Sequence, residues 1–339
     1  MAGCLTHVVG IRVGHAQRSA RGWRTGTTAV IVPAGATAAC DVRGGGPGTR
    51  ETDLLRPEAM IEQVHGICLT GGSAYGLAAA DGVMAWLEQQ HIGFSVGPEP
   101  HQVVPIVPAA VIFDLGRGGN FANRPDHGFG LRAARAARAT PCPTGAVGAG
   151  TGAMAGRLQG GVGTASMLLA NGIVVAALAV VNASGQVIDP STCLPWHRAG
   201  SALRRPSATD KIAFRNYLVD SAPPLNTTIG VVATSARLTK SECTKLAAVA
   251  HDGLARAVRP AHSMFDGDTI FGLATGADEL PADHVAGFHE VRSRAGALNP
   301  LLIAAADCFA EACTRAVVDA RCIGGPPSYR DLCPSAFGR

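Results

Sequence analysis

Leu225-Asn226-Thr227-Thr228-Ile229-Gly230-Val231-Val232-Ala233-Thr234 is where an irregular, proline-rich stretch gives way to an apolar, β-branched run. From Thr228 to Thr234 the composition is that of a β-strand. Upstream, from about Asp189 to Pro224, the chain is polar and carries Pro190, Pro195, Pro206, Pro223 and Pro224 with Arg204-Arg205. That composition predicts a long surface loop, and loops of such length in compact domains are commonly functional. Thr227 thus stands at a loop-to-strand junction. Attack of its hydroxyl on the Asn226 carbonyl, an N→O acyl shift and hydrolysis of the ester would free its α-amine. An N-terminal Thr is a good catalyst because the hydroxyl nucleophile then sits beside an amine with a reference pKa of about 7.7–8.0. By itself the motif is indistinguishable from an ordinary Thr-rich strand start.

Further along comes Phe265-Asp266-Gly267-Asp268-Thr269-Ile270-Phe271. Carboxylates at i and i+2 point to one side of an extended segment. Two acids so close repel unless a cation lies between them, and the ammonium of a liberated Thr227 is such a cation. The other readings are a turn capped by Asp-Gly and a calcium loop. The calcium loop needs further oxygen ligands, but the chain turns apolar at Ile270.

The rest of the chain supplies a framework. Of its 339 residues, 47% are hydrophobic and 16% charged, against about 25% charged in typical domains. A large core with little charged surface points toward oligomer contacts. Apolar runs at Thr28–Val32, Ile67–Leu69, Val111–Phe113, Ile173–Val181 and Ile270–Ala274 read as further strands. Ser73 to about Gln90, Thr239–Val258 and Asn299–Ala320 read as helices, the second opened by the capping box Thr239-Lys240-Ser241-Glu242 and the third by Asn299-Pro300. Strands and helices mixed without a βαβ rhythm favour an α+β architecture over a Rossmann sheet. The net charge of +4, with no basic run interleaved with aromatics, gives nucleic-acid binding no support. The ten cysteines form no C-x-x-C pair, and Met1–Val9 is no signal peptide. The longest apolar run, Ile173–Val181, is too short to span a bilayer. These features lead us to expect a soluble, cytoplasmic protein with reduced thiols, no metal and no cofactor.

The glycine motifs do not carry chemistry of their own. Gly148-Ala149-Gly150-Thr151-Gly152-Ala153 matches a dinucleotide fingerprint loosely, but no acidic residue occurs between Arg157 and Ile188 to hold a ribose. Gly71-Gly72-Ser73-Ala74-Tyr75-Gly76 has Tyr75 where a nucleophile elbow needs Gly, so Ser73 is read as a helix N-cap. In Asp41-Val42-Arg43-Gly44-Gly45-Gly46-Pro47-Gly48 the Asp and Arg can pair structurally. His289-Glu290 lacks the second His of a zincin helix.

Taken in order, these segments resemble the L-aminopeptidase/D-esterase family, which includes nylon-oligomer hydrolases, over nearly the whole chain. The resemblance runs through Gly10-Ile11-Arg12-Val13-Gly14-His15, Asp41–Gly48, Gly71–Gly76, Val111–Phe113, Gly160-Gly161-Val162-Gly163 and Val180-Val181-Asn182. It ends in Asn226-Thr227-Thr228-Ile229 and Asp266-Gly267-Asp268-Thr269. It implies a four-layer α-β-β-α sandwich similar to N-terminal-nucleophile hydrolases, one domain over 1–339. It also implies self-cleavage into fragments 1–226 and 227–339 that stay together, in a homo-oligomer. It assigns Thr227 as nucleophile, Asn182 as oxyanion donor, and Asp266 and Asp268 as the acids that orient the nucleophile. The oxyanion role is worth on the order of 3 kcal/mol in comparable sites. The proton of the hydroxyl passes to the α-amine or to one carboxylate. Nearby carboxylates raise the ammonium pKa, which favours a carboxylate as base.

Three departures bear on substrate. The cut is Asn-Thr, as in nylon-oligomer hydrolases, where aminopeptidase/esterase members use Gly-Ser. Phe113 stands where those hydrolases carry a Tyr. Arg157 and Gln159 stand where they carry a Lys, and an Arg cannot carry protons as a Lys does. Tyr75, Phe113 and Arg157 are the candidate pocket residues. The activity implied is an aminopeptidase acting on peptides or amino-acid amides. The rivals are an ornithine acetyltransferase-like acyl transferase, an endo-acting polyamide oligomer hydrolase and a scaffold that never matures.

Overall fold

The apolar run after Asn226 forms a strand, Thr227–Ala236, whose ten residues are all buried. It lies in the middle of a nine-stranded sheet network. The computed structural model describes residues 3–198, 202–218, 226–280 and 290–338. In chain order the strands are β1 (Arg12–Arg18), β2 (Thr25–Val42), β3 (Thr49–Arg50), β4 (Gln63–Thr70) and β5 (Ala109–Val111). They continue with β6 (Gly161–Leu168), β7 (Val174–Asn182), β8 (Thr227–Ala236) and β9 (Thr269–Asp278). The spatial order is β6-β7-β8-β9-β2-β4-β5-β3, with β1 paired to β2. All neighbours are antiparallel except β8 with β9 and β4 with β5.

The helices are α1 (Ser73–Gly76), α2 (Ala79–Gln89), α3 (His127–Ala136), α4 (Ala208–Leu218), α5 (Lys240–Ala257), α6 (Glu290–Val318) and α7 (Tyr329–Leu332). Period-two alternation along the strands assigns their side chains to three apolar layers. Ala177, Ala179 and Val181 of β7, with Val232 and Ile270, pack against Leu246, Ala250 and Leu254 of α5 and Leu301, Ala305 and Phe309 of α6. Their alternates Ala176, Leu178 and Val180, with Ile229, Val231, Phe271 and Leu273, face Val30, Val32, Ile67 and Leu69. On the far side Ala29, Ile31, Cys68 and Ala109 meet Ala80, Val83 and Leu87 of α2 and Phe129 and Ala133 of α3. The order is helix, sheet, sheet, helix, as expected. Each fully buried Leu, Ile or Phe here contributes roughly 1.5–3 kcal/mol.

Strand β2 joins the two sheets. Thr25–Ile31 pair with β1 and β4, while Thr37–Val42 pair with β9. Between them lies a register irregularity at Pro33-Ala34-Gly35, where proline withholds a ladder N–H.

Several local expectations change. The Ser73–Gln90 helix is broken into α1 and α2 at Leu77-Ala78. Ser73 is not an N-cap: Gly72 holds that position at φ +87°, and Ser73 follows at φ +50°. Helix α6 starts at Glu290, so Asn299-Pro300 lies inside it. The proline removes one helical hydrogen bond, and burial of Leu301, Ala305 and Phe309 against the sheet outweighs that loss. The proline-rich stretch is not a bare loop, because α4 lies within it, with buried Phe214 in the core. Residues 199–201, 219–225 and His289 lie outside the described residues. Helix α5 does open with the expected reciprocal cap between Thr239 and Glu242. Asp41 and Arg43 do pair, at 3.2 Å. Among the described residues, no helix is long and apolar enough to cross a membrane.

Candidate active site

Thr227 opens β8, and its register partner across the antiparallel ladder is Asn182, the last residue of β7. Both strands are buried, so the ladder carries the two side chains to one sheet end with little freedom. Thr227 is 5% exposed and Asn182 fully buried. The Thr227 Oγ1 hydroxyl donates to the carbonyl oxygen of Asn226 at 2.7 Å, resting on the bond that precedes it.

Strand β9 runs parallel to β8, and the turn before it brings in both aspartates. Asp268 Oδ1 accepts the Thr228 N–H at 2.7 Å, one residue from the nucleophile candidate. Its Oδ2 accepts the His262 N–H at 3.1 Å and meets His262 Nδ1 at 2.9 Å. His262 adopts φ +59°, a strained conformation for a non-glycine residue, and the two contacts to Asp268 hold it there. Asp266 accepts the Ser263 N–H at 2.8 Å through Oδ2, while its buried Oδ1 has no partner among the described residues. Gly267 between them packs on Thr227: a Cβ there would lie 2.9 Å from Oγ1 and 2.7 Å from the Gly46 carbonyl oxygen.

The glycine loop Asp41–Gly48 lines this turn. Arg43 N–H donates to the Asp268 carbonyl at 2.9 Å and Gly46 N–H to that of Asp266 at 2.8 Å. At Gly44 a Cβ would fall 2.2 Å from the Asp266 carbonyl oxygen, so the approach requires glycine. A cavity of about 310 Å³ opens above Thr227. Ser73, Val111, Phe113, Asn226, Met264 and Phe265 are among its walls.

Of the three pocket candidates, Phe113 is in that wall. Tyr75 is exposed, with the Arg124 guanidinium 3.7 Å above its ring. Arg157 donates to the Tyr217 and Leu218 carbonyls at the end of α4, and Tyr217 returns a bond to the Arg157 carbonyl. Gln159 is fully buried and accepts from Arg24 at 3.0 Å.

Three residues escaped the sequence reading. Arg117 donates to Asn182 Oδ1, to the Gly152 carbonyl at 2.8 Å and to Asn226 Oδ1 at 3.2 Å. Burial lowers its pKa to about 10, which leaves it charged at neutral pH. Asp114 accepts the Gly72 N–H at 2.7 Å, and burial raises its pKa to about 6. The third is His262. The signal for the first two was there: Asp114-Leu115-Gly116-Arg117-Gly118-Gly119 puts an acid and a base in a glycine turn directly after a strand.

Such an arrangement can perform acyl transfer: a hydroxyl on a carbonyl, an amide donor across the ladder and two acids behind. Among the described residues no group of His, Cys, Asp and Glu could hold a metal ion.

The chain matches peptidase family S58 over residues 3–329. It is 49% identical to an "uncharacterized aminopeptidase" of Mycobacterium tuberculosis (strain ATCC 25618 / H37Rv), covering 98% of this chain and 99% of the relative. It is 31% identical to a 6-aminohexanoate-oligomer endohydrolase of Paenarthrobacter ureafaciens, covering 76% of this chain and 71% of the relative. Among solved structures, a Burkholderia sp. β-aminopeptidase superposes with a TM-score of 0.70 at 24% identity, covering 100% of this chain and 96% of that one. An L-aminopeptidase D-Ala-esterase/amidase of Ochrobactrum anthropi, a variant of the Ntn hydrolase fold, gives 0.68 at 20% identity, covering 96% and 90%. A family match that spans nearly the whole chain, joined to a fold shared with Ntn hydrolases, places this chain in peptidase family S58 as a hydrolase.

Proposed function

We propose that the chain cuts its own Asn226–Thr227 bond and then hydrolyses peptides or amino-acid amides through the N-terminal Thr227. The observation that carries this reading is the hydroxyl of Thr227 resting 2.7 Å from the oxygen of the carbonyl it would attack, with Asn182 paired opposite. In the first step Oγ1 adds to the Asn226 carbonyl carbon, the C–N bond breaks, and the amine leaves protonated. Water then hydrolyses the ester. The products are fragments 1–226 and 227–339.

In turnover the same hydroxyl attacks the substrate carbonyl, Asn182 Nδ2 donates to the oxyanion, and water resolves the acyl-enzyme. The two acids divide the work. Both oxygens of Asp268 are occupied, so it anchors the Thr228 backbone. Asp266 has a buried oxygen without a partner among the described residues, which is the acceptor left for the Thr227 ammonium and its protons.

The test is intact mass and N-terminal sequencing of the purified protein. The smaller fragment should begin Thr-Thr-Ile-Gly-Val, and Thr227→Ala should remain uncut and inactive towards amino-acid p-nitroanilides. Cleavage or turnover by Thr227→Ala would move the nucleophile elsewhere.

A further inference from the structure

The side chain of Arg117 donates to both the asparagine before the proposed cut and the proposed oxyanion donor. Its Nη1 reaches Asn182 Oδ1 and the Gly152 carbonyl, and its Nη2 reaches Asn226 Oδ1. It comes from the turn after β5, where its N–H is tied back to the Asp114 carbonyl at 3.2 Å.

The amide of Asn182 has two possible orientations, and only one is useful. Its Oδ1 also accepts the Met154 N–H at 3.0 Å. Flipping the amide would aim an NH₂ at two donors, the Arg117 guanidinium and the Met154 N–H, and lose both bonds. The amide is therefore held with Nδ2 outward. Among the described residues Nδ2 makes one long contact, 3.4 Å to the Phe113 carbonyl, which leaves its second hydrogen for a new acceptor. A preorganised donor of this kind is what a developing oxyanion needs. The guanidinium spreads its donors over three acceptors, Asn182 Oδ1, the Gly152 carbonyl and Asn226 Oδ1, a planar fork that a flexible ammonium would not reproduce.

We propose that Arg117 is a positioning residue for both acyl transfers of Thr227: it locks the Asn182 amide with Nδ2 toward the oxyanion and holds the Asn226 side chain before the bond is cut. This rests on Thr227 being the nucleophile. It also places this chain's charge beside the oxyanion donor on Arg117, away from Arg157.

Arg117→Met and Arg117→Lys should be compared by the half-time of self-cleavage, from intact mass, and by kcat and KM on an L-amino-acid p-nitroanilide. Arg117→Met should cut itself slowly and, once cut, lose about 10²-fold in kcat with KM little changed, because a misoriented donor resembles a missing one. In an Asn182→Ala background Arg117→Met should cost no further kcat, since nothing is left to orient. Asn226→Ala, which keeps Arg117, should slow self-cleavage about tenfold.

Wild-type cleavage and kcat in Arg117→Met, losses that multiply on Asn182→Ala, or wild-type cleavage in Asn226→Ala would each overturn the proposal. Should Arg117→Met not fold, Arg117→Lys carries the test. It should show a smaller loss in kcat at unchanged KM, and wild-type kcat in a folded Arg117→Lys would overturn it too. Thr227→Ala separates the two readings. If it stays uncut while Arg117→Met behaves as wild type, this inference alone fails; if it still cuts, the nucleophile assignment fails.

Discussion

Asn182 and Thr227 are register partners at the ends of two buried antiparallel strands, so neither can shift without breaking the ladder between β7 and β8. Register is strongly specified where both strand faces are buried, because a one-residue slip would exchange the two apolar layers. That makes the geometry of the proposed donor and nucleophile a property of the core. Asn182→Asp keeps the acceptor for Arg117 and Met154 and removes the donor. It should lower kcat by about 10²–10³-fold, or roughly 3–4 kcal/mol, at nearly unchanged melting temperature. Steady-state kinetics beside a thermal melt decides this, and a kcat within threefold of wild type would remove Asn182 from the oxyanion role.

Gly267→Ala should separate stability from activity. Its Cβ would press on Thr227 Oγ1 at 2.9 Å and on the Gly46 carbonyl oxygen at 2.7 Å. Relief by the loop costs about 1–3 kcal/mol of stability. The displaced hydroxyl should slow self-cleavage far more than that loss implies. A variant that melts lower yet matures at the wild-type rate would show that the hydroxyl tolerates the shift.

Acid should destabilise the uncut Thr227→Ala protein. Burial lowers the pKa of His15 and of His251 to about 4. Each therefore contributes stability that is fully present above about pH 6.5 and lost as pH falls through 4, up to about 3 kcal/mol apiece. Asp114 works in the opposite sense. Burial raises its pKa to about 6, so its contribution is present below about pH 3.8 and lost as pH rises through 6. Urea unfolding between pH 7.5 and 4.5 should show falling stability, less steep in His251→Gln and steeper in Asp114→Asn. Parallel profiles for all three proteins would contradict these assignments.

Cys4 and Cys142 come from segments far apart in sequence, yet their sulfurs lie 3.6 Å apart. The Cys142 N–H and the Thr6 hydroxyl both donate to Cys4 Sγ, at 3.4 and 3.1 Å. Diamide, which takes up two thiol hydrogens as it is reduced, should link this pair with a mass loss of about 2 Da. Peptide mapping locates the bond. Crosslinks found only through exposed Cys322 would rule the pair out.

Legibility followed local physics. β8 could be read from Thr228–Thr234 because a strand buried on both faces is written as a β-branched run. Its place beside β7 and β9 could not, since pairing is set by contacts remote in sequence. The cap at Thr239 was legible for the same local reason, whereas Asn299-Pro300 misled because tertiary burial overrode a good start signal. Thr227, Asn182, Asp266 and Asp268 were named through ordered motifs, not through spacing. Arg117 reaches across the fold to Asn182 and Asn226, 65 and 109 residues on in the chain, and a single sequence does not show such distances.

Strands β8 and β9 follow the proposed cut, yet they lie between β7 on one side and β2 on the other, both of which precede it. A cut at Asn226–Thr227 would leave the second fragment as the middle plies of a laminate, bonded along both flanks. Neither piece could peel off at an edge, because release needs two ladders and two apolar layers to open at once. The mature protein would then melt in one transition, and its halves, expressed separately, would have to fold around each other to form a sheet at all.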